Sequence, residues 1–157
     1  MLNKTFKEAL KVLNKKLKKN NIKWALIGTT NLALQGMNIN PRDLDIVVTL
    51  GDLKKIPFIF EDYSPTDITK LPVTTDEPAW DVTLIILDVK VQIMGERDTG
   101  EYVNKLLANK IIQIKVDTFE VPCFTLEAEA QAYTETNRAQ RAQTIRNFLK
   151  KQNEHMS

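Results

Sequence analysis

The chain has 157 residues but only one cysteine, Cys123, and one histidine, His155. A single thiol excludes an internal disulfide, and one thiol with one imidazole excludes a Cys/His zinc cluster. No apolar run approaches the length of a membrane-spanning helix, and the lysine-rich start lacks the apolar segment of a signal peptide. The expected location is therefore the cytoplasm. Charge of one sign is also scarce. The net charge is +2, and contents of 43% hydrophobic and 27% charged residues are ordinary for a globular protein. Internal repeats and low-complexity linkers are absent. The length suits one domain over residues 1–157 rather than two independent ones.

What the chain does carry is concentrated between Trp24 and Thr49, in WALIGTTNLALQGMNINPRDLDIVVT. An apolar run ends in Gly28-Thr29, a short helical pattern follows, and a second apolar run opens on Asp43-Leu44-Asp45. Side chains two apart on a strand leave the same face, so Asp43 and Asp45 project together. Two carboxylates without a base between them form a site for a hard divalent cation. A Gly-Thr turn ahead of a helix offers backbone N–H groups to a phosphate. Cation and phosphate together suggest nucleotide chemistry.

Around this segment the pattern alternates between helix and strand. Phe6, Leu10, Leu13 and Leu17 give residues 3–19 a helical apolar stripe, with lysines elsewhere. A strand over 22–28, a helix capped by Thr30 and ended by Gly36, and a strand over 44–49 suggest a parallel crossover unit. A helix capped by Asp52 is expected near 53–60, then a long Pro-containing loop over 62–80. Strands at 82–87 and 90–94, and at 111–116 and 119–121, suggest two hairpins, with a helix at 101–108 between them. Helices follow at 125–134, capped by Thr125, and at 137–151. The expected fold class is α/β (α+β), a mixed sheet flanked by helices, its core at about 20–122 and its C-terminal helical cover at about 125–151.

The order of these motifs resembles the nucleotidyltransferase superfamily typified by DNA polymerase β, and within it the small, minimal nucleotidyltransferase-like proteins. The resemblance rests on Ile27-Gly28-Thr29, a spacer through Arg42, and Asp43-Leu44-Asp45-Ile46. It continues in Lys90-Val91-Gln92-Ile93-Met94-Gly95 and in the tail from Val121 to Leu149. It implies that Asp43 and Asp45 hold Mg2+, or Mn2+, and that Gly28, Thr29 and Thr30 hold the phosphates of a nucleoside triphosphate. It further implies transfer of a nucleoside monophosphate, AMP from ATP, to a hydroxyl on a small molecule, an RNA end or a protein. The chain is expected to act off the membrane, with oligomerisation left open.

One position departs from the family pattern. A third carboxylate normally comes from the neighbouring strand, and Gln92 stands there. Its amide oxygen is a weak ligand and cannot act as a base. Three readings follow: another acid such as Asp88 or Glu96 reaches the site, two carboxylates suffice, or the domain is a degenerate nucleotide-binding or partner-docking, antitoxin-like module. Four cations are further candidates for the nucleotide. Arg42 precedes the acids, Lys90 shares the face of Gln92, and Arg138 and Arg141 open the last helix. Trp80 is the aromatic most in need of placing relative to a pocket. A third function, RNA binding through the lysine-rich first helix, has little support without interleaved aromatics.

Overall fold

The computed structural model describes residues 2–71, 79–96 and 101–156, apart from the side chains of residues 79, 96, 101–104 and 156. Helix α1 (Lys4–Lys19) starts at Asn3, whose side chain accepts from the Phe6 N–H, and buries Phe6, Leu10, Leu13 and Leu17. Strand β1 (Ala25–Ile27) leads into α2 (Gly28–Leu34), and β2 (Asp43–Val48) follows. Two single-turn helices come next, α3 (Leu50–Leu53) and α4 (Ile56–Ile59), then a 3-10 turn over Glu61–Tyr63. Strands β3 (Thr69–Lys70), β4 (Ala79–Ile86) and β5 (Val89–Glu96) precede α5 (Glu101–Asn109). The hairpin β6 (Ile111–Val116) and β7 (Phe119–Phe124) precedes α6 (Leu126–Glu135) and α7 (Ala139–Met156). None of the described helices is long and apolar enough to cross a membrane.

The seven strands form one mixed sheet in the order β3-β4-β5-β2-β1-β7-β6. Strand β2 runs parallel to β5, and β1 runs parallel to β7. Strand alternation divides the chemistry cleanly between the faces. Leu44, Ile46 and Val48 of β2, Val91 and Ile93 of β5, and Val82, Leu84 and Ile86 of β4 pack with the α1 stripe in the main core. Their neighbours Asp43, Asp45, Gln92 and Asp81 belong to the opposite face. A smaller cluster joins Leu32 of α2 to Leu126, Ala130, Tyr133, Ala142 and Ile145 of α6 and α7, and so fastens the C-terminal helices beside the Gly-Thr turn.

Three expectations change. The β1–β2 pair is antiparallel, with Ile27 opposite Asp45, so there is no parallel crossover. A seven-residue helix advances only about 10 Å, too little to carry the chain back across the sheet for a parallel return. Residue 52 does not cap a helix; Thr49 does, accepting from the Asp52 N–H, and Pro57 sits at the start of a separate helical turn. The expected loop over 62–80 contains β3 and the start of β4, while residues 72–78 lie outside the described part.

Candidate nucleotide and cation site

Gly28 sits where β1 becomes α2, with φ of +74°, a conformation glycine adopts at little cost. The turn needs glycine for a second reason. A Cβ here would lie 2.9 Å from Asp45 Oδ2, so the absence of a side chain lets the carboxylate approach the turn. Asp45 is opposite Ile27 on one side and Gln92 on the other, and Asp43 is opposite Lys90. The aspartates therefore do share a face, beside the helix start.

The Asp45 carboxyl is an unfinished site. Its Oδ1 is buried and has no hydrogen-bond partner. Burial, then the charge of Asp43, pushes its pKa up to about 6, while Lys90 and Arg138 pull it down. A divalent cation between the two aspartates would satisfy the orphan oxygen and remove the repulsion, so these residues fit the expected metal. Among the described residues no group of three or more Asp, Glu, His or Cys side chains could hold a metal ion. Among the described residues, Gln92 is the further candidate ligand beside the pair.

Gln92 occupies the predicted place, in register with Asp45 and between the core residues Val91 and Ile93. Its Nε2 donates to Asp81 Oδ2 at 2.7 Å, and Asp81 is only 8% exposed. Of the alternative acids, Asp88 lies exposed in the β4–β5 turn, outside the strand ladder, and the Glu96 side chain is outside the described part.

The Gly28 N–H is not available to a phosphate as expected. Both carboxyl oxygens of Glu129, on α6, accept from it at 3.1 and 3.2 Å. Glu129 is 3% exposed, and burial pushes its pKa up to about 8, against the hydrogen bond from Gly28, the Asn31 side chain and the Arg138 charge. The carboxyl is thus mostly protonated at neutral pH, and no full negative charge backs the turn. Thr30 also departs from expectation. It is fully buried inside α2, and its hydroxyl donates to the Asp43 carbonyl at 2.6 Å. It ties the helix to the acidic strand rather than capping the helix or facing a phosphate.

Thr29 borders a cavity of about 600 Å³ lined also by Tyr133, Arg138, Arg141 and Thr144, with no acidic residue in its wall. The Arg138 guanidinium lies 4.3 Å from the centre of the Tyr133 ring, which holds a flexible cation in one place. Arg42 is exposed, and Lys90 is exposed on the face of the acids. Trp80 packs against the main core on the α1 side, away from this cavity. A second cavity, of about 610 Å³, is lined by Lys18, Trp24, Phe119 and Pro122, and includes none of these residues.

The model of the aminoglycoside-2''-adenylyltransferase family matches residues 9–147. The chain belongs to that family. The match spans the Gly-Thr turn, the aspartate pair, Gln92, Glu129 and both arginines. Among solved structures, a candidate nucleotidyltransferase from Thermotoga maritima is similar with a TM-score of 0.75 and 25% identity, each chain covered over 96%. No curated protein matches the sequence. The fold is that of a nucleotidyltransferase, as the Gly-Thr and Asp-x-Asp order suggested, and the family supports nucleotidyl transfer as the general activity.

Two site residues, Asp81 and Glu129, escape the sequence reading, although each leaves a signal. Asp81 alternates with Val82, Leu84 and Ile86, which places it on the polar face of β4 with Thr83. Glu129 falls on the stripe of Leu126, Ala130 and Tyr133, so a helical face that is otherwise apolar carries a carboxyl.

Proposed function

We propose that the protein is a magnesium-dependent nucleotidyltransferase that moves AMP from ATP onto a hydroxyl acceptor. The observation that carries this reading is the meeting of a buried, unpartnered carboxylate oxygen on Asp45 with the Gly28 turn. Asp43 and Asp45 would hold the cation, Mg2+ or Mn2+, which supplies neutralisation of charge on the phosphates. Thr29 lies at the mouth of the arginine-lined cavity, where Arg138 and Arg141 offer the triphosphate two cations without a competing acid. Lys90, opposite Asp43, adds positive charge on the face of the acids, and the exposed Arg42 is a further candidate cation. An acceptor hydroxyl attacks the α-phosphorus, its proton passes to solvent, and pyrophosphate leaves with the bridging oxygen. Positioning and charge screening carry the reaction, because Gln92, the residue opposite Asp45, cannot serve as a base.

The family description supports AMP as the group transferred and a sugar hydroxyl as the first acceptor to try. Gln92 favours a second reading, a degenerate module that binds nucleotide, or docks a partner, without turnover. Calorimetry with ATP, with and without Mg2+, tests the shared premise: no binding in either condition refutes both. Incubation with labelled ATP and a panel of aminoglycosides, RNA and lysate then separates them. Label transfer lost in D43N/D45N supports the enzyme; transfer that survives the double substitution refutes this mechanism. Magnesium-dependent binding without transfer to any acceptor supports the module.

A further inference from the structure

We infer that Asp81 is a positioning residue that makes Gln92 an oxygen donor to the cation site; the inference rests on Asp43 and Asp45 being that site. Asp81 stands on β4, one strand farther from the aspartates than Gln92. The residue is 8% exposed, and its carboxyl takes part in no ion pair among the described residues. Among the described residues its side-chain hydrogen bond is the 2.7 Å contact from Gln92 Nε2.

The consequence for Gln92 follows from the asymmetry of an amide. An ionised carboxylate only accepts hydrogen bonds, so the end of the amide that faces β4 must be the nitrogen. The other end, Oε1, is then left for the β2 side, where Asp45 lies directly opposite. Among the described residues no donor is bonded to Oε1. Without Asp81 the amide is free to turn and offer its N–H groups to a cation, which repels them. With Asp81 in place, Gln92 supplies the one kind of atom a hard cation accepts. The missing third acid is thereby replaced by a neutral oxygen ligand whose direction is set from one strand away. Outer partners commonly orient metal ligands in this manner.

Binding of Mn2+ alone, followed by the electron paramagnetic resonance of the free ion, tests this without any turnover. Asp81→Asn keeps shape and hydrogen bonding but lets the Gln92 amide turn, and should weaken Mn2+ by about tenfold. Gln92→Leu should weaken it at least as much, and adding D81N to Q92L should cause no further loss. In the wild type, Mg2+ should shift the side-chain amide resonance of Gln92, a measurement that needs no variant. Unchanged Mn2+ affinity in D81N, or losses that multiply in D81N/Q92L, overturns the inference while leaving the cation site intact. Mn2+ affinity that is absent, or unaffected by D43N/D45N, overturns the cation site itself.

Discussion

Replacing Glu129 with Gln should make the protein more stable, increasingly so as the pH rises. In the folded chain the Glu129 carboxyl is 3% exposed and its pKa is pushed from 4.5 to about 8. Below pH 4.5 the group is protonated both folded and unfolded and has no effect on the pH dependence. Between 4.5 and about 8 the folded chain keeps a proton that the unfolded chain releases, so stability falls with rising pH, by about 1.4 kcal/mol per unit. Above about 8 the loss is complete. A separation of about 3.5 pH units corresponds to about 5 kcal/mol, an appreciable part of a typical domain's stability. Gln keeps an oxygen to accept the Gly28 N–H but has no proton to lose. Urea unfolding of wild type and E129Q from pH 4.5 to 9 should give curves that meet at the acid end and diverge toward the alkaline end. Titration of Asp45 is common to both and cancels. An offset already present at pH 4.5, added to that divergence, would report the packing of the amide. Parallel curves across the whole range would refute the argument, because they would mean that Glu129 titrates in the folded chain as it does in the unfolded one.

Gly28→Ala forces a side chain into positive φ and sets its Cβ 2.9 Å from Asp45 Oδ2. It should cost at least about 1–2 kcal/mol in denaturant unfolding and weaken Mg-ATP in calorimetry, and wild-type behaviour in both would refute the described turn. Asp45→Asn should raise stability at pH 8 by about 2 kcal/mol, because it removes a buried charge beside Asp43, and should abolish magnesium-dependent nucleotide binding. A variant that is less stable and still binds Mg-ATP would contradict that assignment.

The parts of this molecule legible from residues alone are those fixed by short-range periodicity. The α1 stripe, the cap at Thr125 and the alternation of Gln92 between Val91 and Ile93 can be read because each depends on neighbours within a turn or a strand step. Strand direction is different. Nothing within residues 25–48 distinguishes an antiparallel return from a parallel one, and β1 pairs antiparallel with β2 while lying parallel to β7 almost a hundred residues later. The partners of the site residues are hidden for the same reason. Glu129 meets Gly28 across 101 positions and Asp81 meets Gln92 across 11, through pairings that only the sheet order and the docking of α6 establish. Thr30 was open to misreading because a threonine just after a glycine turn fits a helix cap, whereas the helix begins two residues earlier and buries it.

The distribution of buried acids bears on whether the fold is maintained as a binding site. The described ion pairs, Lys7 with Asp117 and Lys55 with Asp52, lie away from the aspartate pair, and each includes an exposed partner. On the Gly28 side of the sheet Asp81 and Glu129 are buried and Asp45 is half-buried with its Oδ1 out of water, and none of the three is in an ion pair among the described residues. Burial raises the pKa of Asp45 and Glu129, so their ionised forms cost stability, and apolar residues of similar volume would remove that cost. A surface used only to dock a partner gains nothing from acids it hides. A pocket that must receive a cation and a triphosphate gains from all three: one oxygen left without a partner, one carboxyl that turns an amide, and one that holds the turn while remaining protonated. Local departures from stable packing are expected where function requires them. Their concentration beside the Gly28 turn supports the proposed nucleotide site over a relic.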